Sequence, residues 1–346
     1  MRTRINFGFI PGRGRVVGFS RVLLRLLAFW LVATALGPLL ELDYFWPGMA
    51  FTYSPRILLA MVAVVLGAVS ILLKWRRLGR VHVAAGALLL LTSGLASWLR
   101  VAPAAQEGRI YRLLAFNTED SFADAPRLAQ IARDLNADFL CLQEVSSKHR
   151  EAFTSALSDY SFFWTRDEDP RRKLPTCVTG VRTALIQSRD SVELAPAITG
   201  YRTQGVRVRL GEPWLWIVNV HTTKPTWIDA PWADYILKAR WKALWHRKER
   251  DLLESWLEGR GDDPVIVAGD FNAPSLSFNT RFDGYCNAHF SAGKGFHLTF
   301  PRRSPVLGID NVLGNGRIRF QEYRTFDAGF SDHRGQVCEF RLAPKI

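Results

Sequence analysis

The sequence predicts an α/β domain, two packed sheets with helices outside, carried behind a membrane anchor of three helices. Three observations predict it. Three apolar runs, each close to the roughly 20 residues that cross a bilayer, fall within the first hundred positions. Beyond them, strand-like and helix-like segments alternate with mixed connections and no internal repeat. The remaining length, about 240 residues, suits one domain of that kind.

The apolar runs are residues 22–40 (VLLRLLAFWLVATALGPLL), 57–73 (ILLAMVAVVLGAVSILL) and 81–99 (VHVAAGALLLLTSGLASWL). A signal peptide followed by core helices would read similarly at the start, but three such runs in succession favour spans. Arg25 and His82 lie near the starts of their runs, where they can reach the interface. Charge sets the orientation. Arg2, Arg4, Arg13, Arg15 and Arg21 precede the first run, and Lys74, Arg76, Arg77 and Arg80 separate the second from the third. The intervening loop holds Glu41, Asp43 and only Arg56, with Tyr44, Phe45, Trp46 and Tyr53 suited to an interface. Positive flanks stay in the cytoplasm, so three crossings put everything after Arg100 outside, the periplasm in a Gram-negative cell. Residues 1–100 are thus the expected multi-pass inner-membrane anchor, with 22–99 against lipid; 101–108 (VAPAAQEG) are a linker and 109–346 the outer domain.

The formal charge of +13 belongs mostly to the anchor, whose 100 residues hold 12 Lys/Arg against 2 Asp/Glu. Only +3 is left for the domain, so basicity gives no argument for nucleic acid. The local runs Arg171-Arg172-Lys173 and KARWKALWHRKER from Lys238 read as solvated faces. The four cysteines show no CxxC spacing and no zinc site. Cys141 and Cys338 read as small buried residues, and an oxidising compartment would permit Cys177 and Cys286 to pair.

In the domain, IYRLLAF (110–116), a helix at APRLAQIARDL and DFLCLQE (138–144) form a strand–helix–strand unit. Strands are expected at 180–188, 205–210 and 214–221. A helix follows from about Trp232 to Leu257, with Ile236, Leu237, Leu244, Leu252, Leu253 and Trp256 as its buried stripe. PVIVAGD, GIDNVL, RIRFQEY and GQVCEFRL complete the strands.

The strand ends form an unusual set. LLAFN ends in Asn117, FLCLQE in Gln143 and Glu144, WIVNVH in Asn219 and His221, VIVAGDFN in Asp270 and Asn272. GIDNVL carries Asp310, and GFSDHRG carries Ser331, Asp332 and His333 just before the last strand. An Asp or Asn at a strand end is often only a turn residue; six loci of acid, amide or imidazole need six such turns. Hard oxygen donors suit Mg2+ or Mn2+, and metal-assisted phosphoester hydrolysis uses such groups to place water and relieve developing charge. No GxxxxGK[ST] loop and no G-x-S-x-G elbow occurs.

The ordered set Asn117, Gln143-Glu144, Asn219-x-His221, Gly269-Asp270-Phe271-Asn272, Ile309-Asp310 and Ser331-Asp332-His333 resembles the endonuclease/exonuclease/phosphatase superfamily over about residues 109–342. The resemblance implies a four-layer α/β sandwich and a divalent-metal phosphoesterase. Carried over residue by residue, Glu144 is the main metal ligand, with Asn117 and Asp332 completing or supporting the shell. Asp270 orients or deprotonates the attacking water, and Asn272 holds phosphate or water beside it. His333 contacts the phosphate, with Asp310 fixing its tautomer and favouring its cation. His221, beside Asn219, is a second phosphate-facing histidine and candidate general acid; the plainer reading is a core histidine. VNVHTTKP departs from the AP-endonuclease pattern and disfavours base-excision repair, while GFHLTFP should shape the mouth of the site. HTTKPTWIDAPWADY could line that mouth, rest on the bilayer or simply pack. Lipid, nucleotide, sugar phosphate and nucleic acid all remain open as substrates. An outer-side nuclease and a catalytically silent phospholigand-binding module stand as alternatives.

Overall fold

A computed structural model describes residues 13–100, 108–119, 125–145, 150–165, 176–195, 198–199, 203–211, 213–224 and 232–344. The linker 101–107, Arg171–Lys173 and most of the TWIDAPW segment lie outside them.

The N-terminal hundred residues fold as α1 (Arg13–Leu36), a short α2 (Met49–Thr52), α3 (Arg56–Leu72) and α4 (Arg76–Thr92). Only one helix among the described residues is long and apolar enough to cross a membrane, within Gly18–Leu36, and that test is also passed by a signal sequence. The expectation of three spans is therefore corrected. Counting apolar residues ignored where the helices stop: α1 ends before Gly37-Pro38, α3 is 17 residues long, and α4 stops at Thr92. Gly94, at φ +104°, then turns the chain into a 3-10 helix over Leu95–Leu99. The helices pack through small residues: Ala60 and Ala63 of α3 meet Ala85 and Leu89 of α4 and Leu31 and Ala35 of α1.

The rest of the chain builds two sheets. Its elements are β1 (Tyr111–Asn117), α5 (Ala125–Asp134), β2 (Phe139–Val145), α6 (Arg150–Ala156), β3 (Tyr160–Trp164), β4 (Thr176–Arg182), β5 (Val192–Leu194), β6 (Thr203–Arg209) and β7 (Trp214–His221). Then follow α7 (Trp232–Glu258), β8 (Val265–Asp270), β9 (Tyr285–Asn287), α8 (Ala288–Ala292), β10 (Asp310–Asn315), β11 (Ile318–Phe326) and β12 (Gly335–Leu342). One sheet has the order β11-β12-β1-β2-β4-β3, the other β5-β6-β7-β8-β10-β9. β1–β2 and β7–β8 are parallel pairs and the remaining pairings are antiparallel.

Strict alternation fills both faces of each sheet. Leu113 and Ala115 of β1 face Ile217, Ile266 and Val312 of the second sheet across a shared core. Leu114 and Phe116 turn outward against Leu128 and Phe153 of α5 and α6. Trp216 and Val218 turn outward against Leu253 and Leu257 of α7. The expected sandwich, two packed mixed sheets flanked by helices, is found.

Three details differ from the sequence reading. The strand expected at 180–188 begins earlier, and the short β3, β5 and β9 were not anticipated because none shows an extended alternation. All four cysteines are free: Cys177 is buried in the first sheet and Cys286 exposed in the second, and the pairing that an oxidising compartment would permit is not formed. In α7 the bounds hold, but of the expected buried stripe only Leu253 and Trp256 pack on the domain, and the side chain of Ile236 lies outside the described residues. Leu237, Leu244 and Leu252 are exposed, while His246, Glu249, Leu253 and Leu257 face the domain. Among the described side chains of its first half, residues 237–245, none is buried.

The N-terminal helices and the domain are in contact at several points. The buried Asp43 accepts from the Ser277 hydroxyl and from the Phe278 amide at 2.9 Å. Arg281 donates to the Pro38 carbonyl at 2.7 Å, Tyr53 joins the core beneath the second sheet, and Arg100 donates to the His289 and Gly293 carbonyls. The loop between α1 and α3 and the end of α4 thus pack against the domain.

Candidate active site

The inward positions of the strands, followed to one end of the sandwich, pass from apolar to polar. On β1 the inward series Leu113 and Ala115 ends in Asn117; on β7, Leu215 and Ile217 lead to Asn219 and His221; on β8, Ile266 and Ala268 lead to Asp270. β10 starts at that end with Asp310, paired in register with Asp270, and His333 precedes β12 at the same end. The site is the place where the shared core runs out of apolar residues.

Local irregularities aim the remaining groups. The β2–β4 pairing breaks between Leu142 and Val145, and Glu144 adopts φ +54° there. This bulge lets consecutive residues face different places: Gln143 stays between the sheets while Glu144 reaches the site. Gly269 has φ +144°, and a Cβ there would stand 2.1 Å from the Val220 carbonyl oxygen, so only glycine lets β8 approach β7 this closely. Asn272 sits at φ +47°, its backbone N–H donating to Asp270 Oδ1 at 2.7 Å and its side-chain amide to the Thr222 carbonyl at 3.0 Å. The turn is real, and it is also what keeps Asn272 beside Asp270; Phe271 is fully buried on the other side. Ser331 donates to the Asn117 carbonyl at 2.8 Å and accepts from the His333 amide at 3.0 Å, pinning the SDH loop to the end of β1.

Two clusters share Asp270. Glu144, His221 and Asp270 offer ligand atoms within 4.8 Å of one another, as do Asp270, Asp310 and His333. His221 Nε2 lies 3.3 Å from Glu144 Oε1 and 4.0 Å from Asp270 Oδ2; His333 Nε2 lies 3.8 Å from that same Oδ2. His333 Nδ1 is 2.9 Å from Asp310 Oδ2, which fixes the ring and leaves Nε2 facing the site. Asn117 bridges the clusters, its amide nitrogen 3.1 Å from Glu144 and 3.0 Å from Asp270, while its oxygen accepts the Glu119 N–H. Asp332 stands at the rim, 3.7 Å from His333 Nε2. Asn219 is the candidate that does not reach this group. Its oxygen accepts from Gln143 at 2.7 Å and its nitrogen donates to the Leu142 and Val178 carbonyls, tying the two sheets together behind the site.

Burial and charge bias the protons. Burial pushes the Asp270 carboxyl up, the neighbouring Asp310 adds to that, and the two imidazoles pull against it. Burial acts against the charged form of His333, but Asp310 and Asp270 outweigh it and raise the imidazole to about 10. Burial also opposes ionisation of Glu144, yet the His221 hydrogen bond and charge hold it at about 2. Ionised oxygen donors around one buried acid are a fitting surround for a divalent cation. Glu144, with Asp270 and His221 in reach and Asn117 and Asp332 nearby, could hold it.

Several contributors were missed in the sequence. Glu119, two residues past Asn117, accepts the Asp332 N–H at 3.0 Å and could have been found as a further strand-end acid. Phe300 lies against His333 at 5.0 Å between ring centres, with the Lys224 ammonium 5.5 Å from the Phe300 ring centre, so the LTFP stretch lies beside the imidazole. Thr222 donates to the Phe271 carbonyl and meets His246 of α7, a contact that no local sequence signal announces.

An α/β sandwich whose inner strand ends converge on buried carboxylates backed by imidazoles is a phosphoesterase-type fold. A family model described as the Endonuclease/Exonuclease/phosphatase family matches residues 114–333, and the chain belongs to that family, whose members hydrolyse phosphate esters with divalent metals. Among solved structures, an endonuclease/exonuclease/phosphatase from Bacteroides vulgatus is 17% identical, with 68% of this chain and 100% of that one covered and a TM-score of 0.51. TDP2 from C. elegans is 15% identical, with 83% and 94% covered and a TM-score of 0.52. At such identities the likeness establishes the fold. No curated protein matches the sequence.

Proposed function

We propose that the chain is a membrane-anchored, Mg2+- or Mn2+-dependent phosphoesterase whose domain faces the outer side of the membrane. The observation that carries it is the convergence of two imidazole Nε2 atoms on one oxygen of the buried Asp270, with Asp310 behind one of them. Asp270, raised by burial, is suited to orient a water and accept its proton. His333, held as a cation by Asp310, offers Nε2–H to phosphate oxygens as charge builds on them. His221 is placed to donate a proton to the leaving oxygen, and Asn272 to steady water or phosphate beside Asp270. Glu144 is the principal metal ligand, supported by Asn117 and Asp332. A bound divalent cation would draw charge from the phosphate oxygens and lower the barrier to attack.

The orientation is supported by the positive flanks of α1 and by the α1–α3 loop lying on the same side as the domain. With α1 crossing outward, both would stand in the periplasm of a Gram-negative cell. The full set of acids and imidazoles favours an enzyme over a silent binding module, which has no use for a buried base. The decisive experiment is metal removal. Hydrolysis of bis(p-nitrophenyl) phosphate by the full-length protein should cease in EDTA and return with Mg2+ or Mn2+; undiminished turnover in EDTA overturns the reading.

A further inference from the structure

The first half of α7 presents an unexplained surface. None of residues 237–245 is buried, although four of the nine are Leu or Trp. At about 100° per residue, Leu237, Trp241, Leu244 and Trp245 fall on one face, and the buried His246, Glu249, Leu253 and Leu257 fall roughly opposite. The helix therefore has two apolar faces, and only the second packs on the domain. Leu237 is 67% and Trp241 59% exposed, far more than a soluble face requires of such residues.

We infer that residues 237–245 of α7 lie in the interface of the bilayer, among anionic headgroups on the side where the domain stands. The inference rests on the membrane-anchored reading of α1. Two features select the bilayer as the occupant. The first is continuity: Arg247, one turn further along, sits 4.2 Å over the ring of Tyr44 in the loop that leaves α1. Leu39, Leu40 and Phe45 in that loop are themselves exposed, so the apolar strip of α7 extends that of the anchor. The second is composition. Lys238 and Arg240 flank the strip and Lys248 lies 5.1 Å over Trp245, an apolar arc edged with Trp and cations that suits an anionic interface. The same helix bonds to the active site from behind, through His246 to Thr222 and Glu249 to Thr223. Bilayer contact along α7 thereby sets the height of the catalytic mouth above the headgroups.

The test uses full-length protein carrying Cys286→Ser, which removes the exposed thiol and leaves three buried ones. A single nitroxide at Leu237→Cys or Leu244→Cys is read in nanodiscs of phosphatidylcholine and phosphatidylglycerol, against Asp134→Cys, exposed on α5 in the opposite helical layer, as the aqueous control and Leu26→Cys as the anchor control. The ratio of oxygen to nickel-chelate collisions at 237 and 244 should exceed that at 134 by at least about fivefold, as for a helix face sunk among headgroups. Nickel access at 237 equal to that at 134 overturns the inference, and so does exclusion of both probes, which would mark a protein partner. If Leu26 reads as lipid while 237 reads as water, this inference alone fails. If Leu26 also reads as water, the anchored reading has failed with it.

Discussion

The second sheet supplies Asp270 and Asp310 with side chains 1% and 2% exposed, on adjacent strands and in register; the first supplies Glu144 at 28% and Asp332 at 39%. The two contributions face each other across the same opening, yet one is dry and the other wet. Asp270, sealed from water, holds its proton more tightly, and His333, reaching across from the first sheet, pulls against that. Glu144, nearer the rim, is held ionised by His221 against its own burial. On the proposed reading the dry half serves proton transfer and the wet half the metal, and the division follows from burial together with the imidazole each carboxylate faces.

Substitutions on each half should therefore fail in different ways. Asp270→Ala is expected to cost the most, about 10²–10⁴-fold in kcat with a smaller change in KM, and raising Mg2+ should not restore it. Glu144→Gln should also lose activity, but part should return as Mg2+ is raised. Steady-state kinetics over a metal titration separates the two, and equal rescue of both would erase the distinction drawn between the halves.

The His333–Asp310 pair gives the next effect. His333→Ala should fall within the same range, Asp310→Asn should be milder, and the double change should cost little beyond His333→Ala. Full multiplication of the two losses would show that Asp310 does not act through His333. The pH dependence has a definite sign. Because Asp310 and Asp270 together outweigh burial and lift His333 from 6.5 to about 10, the stability its charge contributes is complete below pH 6.5 and is lost as pH rises through about 10. In Asp310→Asn the alkaline limb of the rate profile should move toward neutrality, as a pH–rate series would record.

Asn219→Ala should be smallest for chemistry and visible mainly in stability. It removes three buried hydrogen bonds between the sheets, leaving Gln143 only its bond to the Cys141 carbonyl, a loss of about 1–3 kcal/mol, lowering Tm by several degrees while kcat changes little. A large kcat loss at unchanged Tm would return Asn219 to the site.

Much of this was legible in the chain because alternation and strand ends are local signals. The inward series ending in Asn117, His221 and Asp270 can be read from period two, and GID with SDH gave the pair that the fold brings to 2.9 Å. The same periodicity could not tell Asn219 from His221, since both face inward and only depth separates them. Nor could it foresee the bulge that turns Glu144, which depends on the register against β4. In α7, helical spacing showed apolar faces but not which of them the domain covers. In the N-terminal helices, hydropathy overran Gly37-Pro38 and Gly94, where the α-helices have already ended.

The docked loop between α1 and α3 bears on reach. A head on a slack leash sweeps a wide volume and can take substrates at many distances. Here Asp43 grips residues 277–278 just beyond the GDFN turn, Arg281 grips Pro38, and Arg100 grips the region of α8. A protease cutting in the linker would therefore not set the domain adrift, because three other holds remain. The domain has little range of its own, and whatever it hydrolyses has to travel to it.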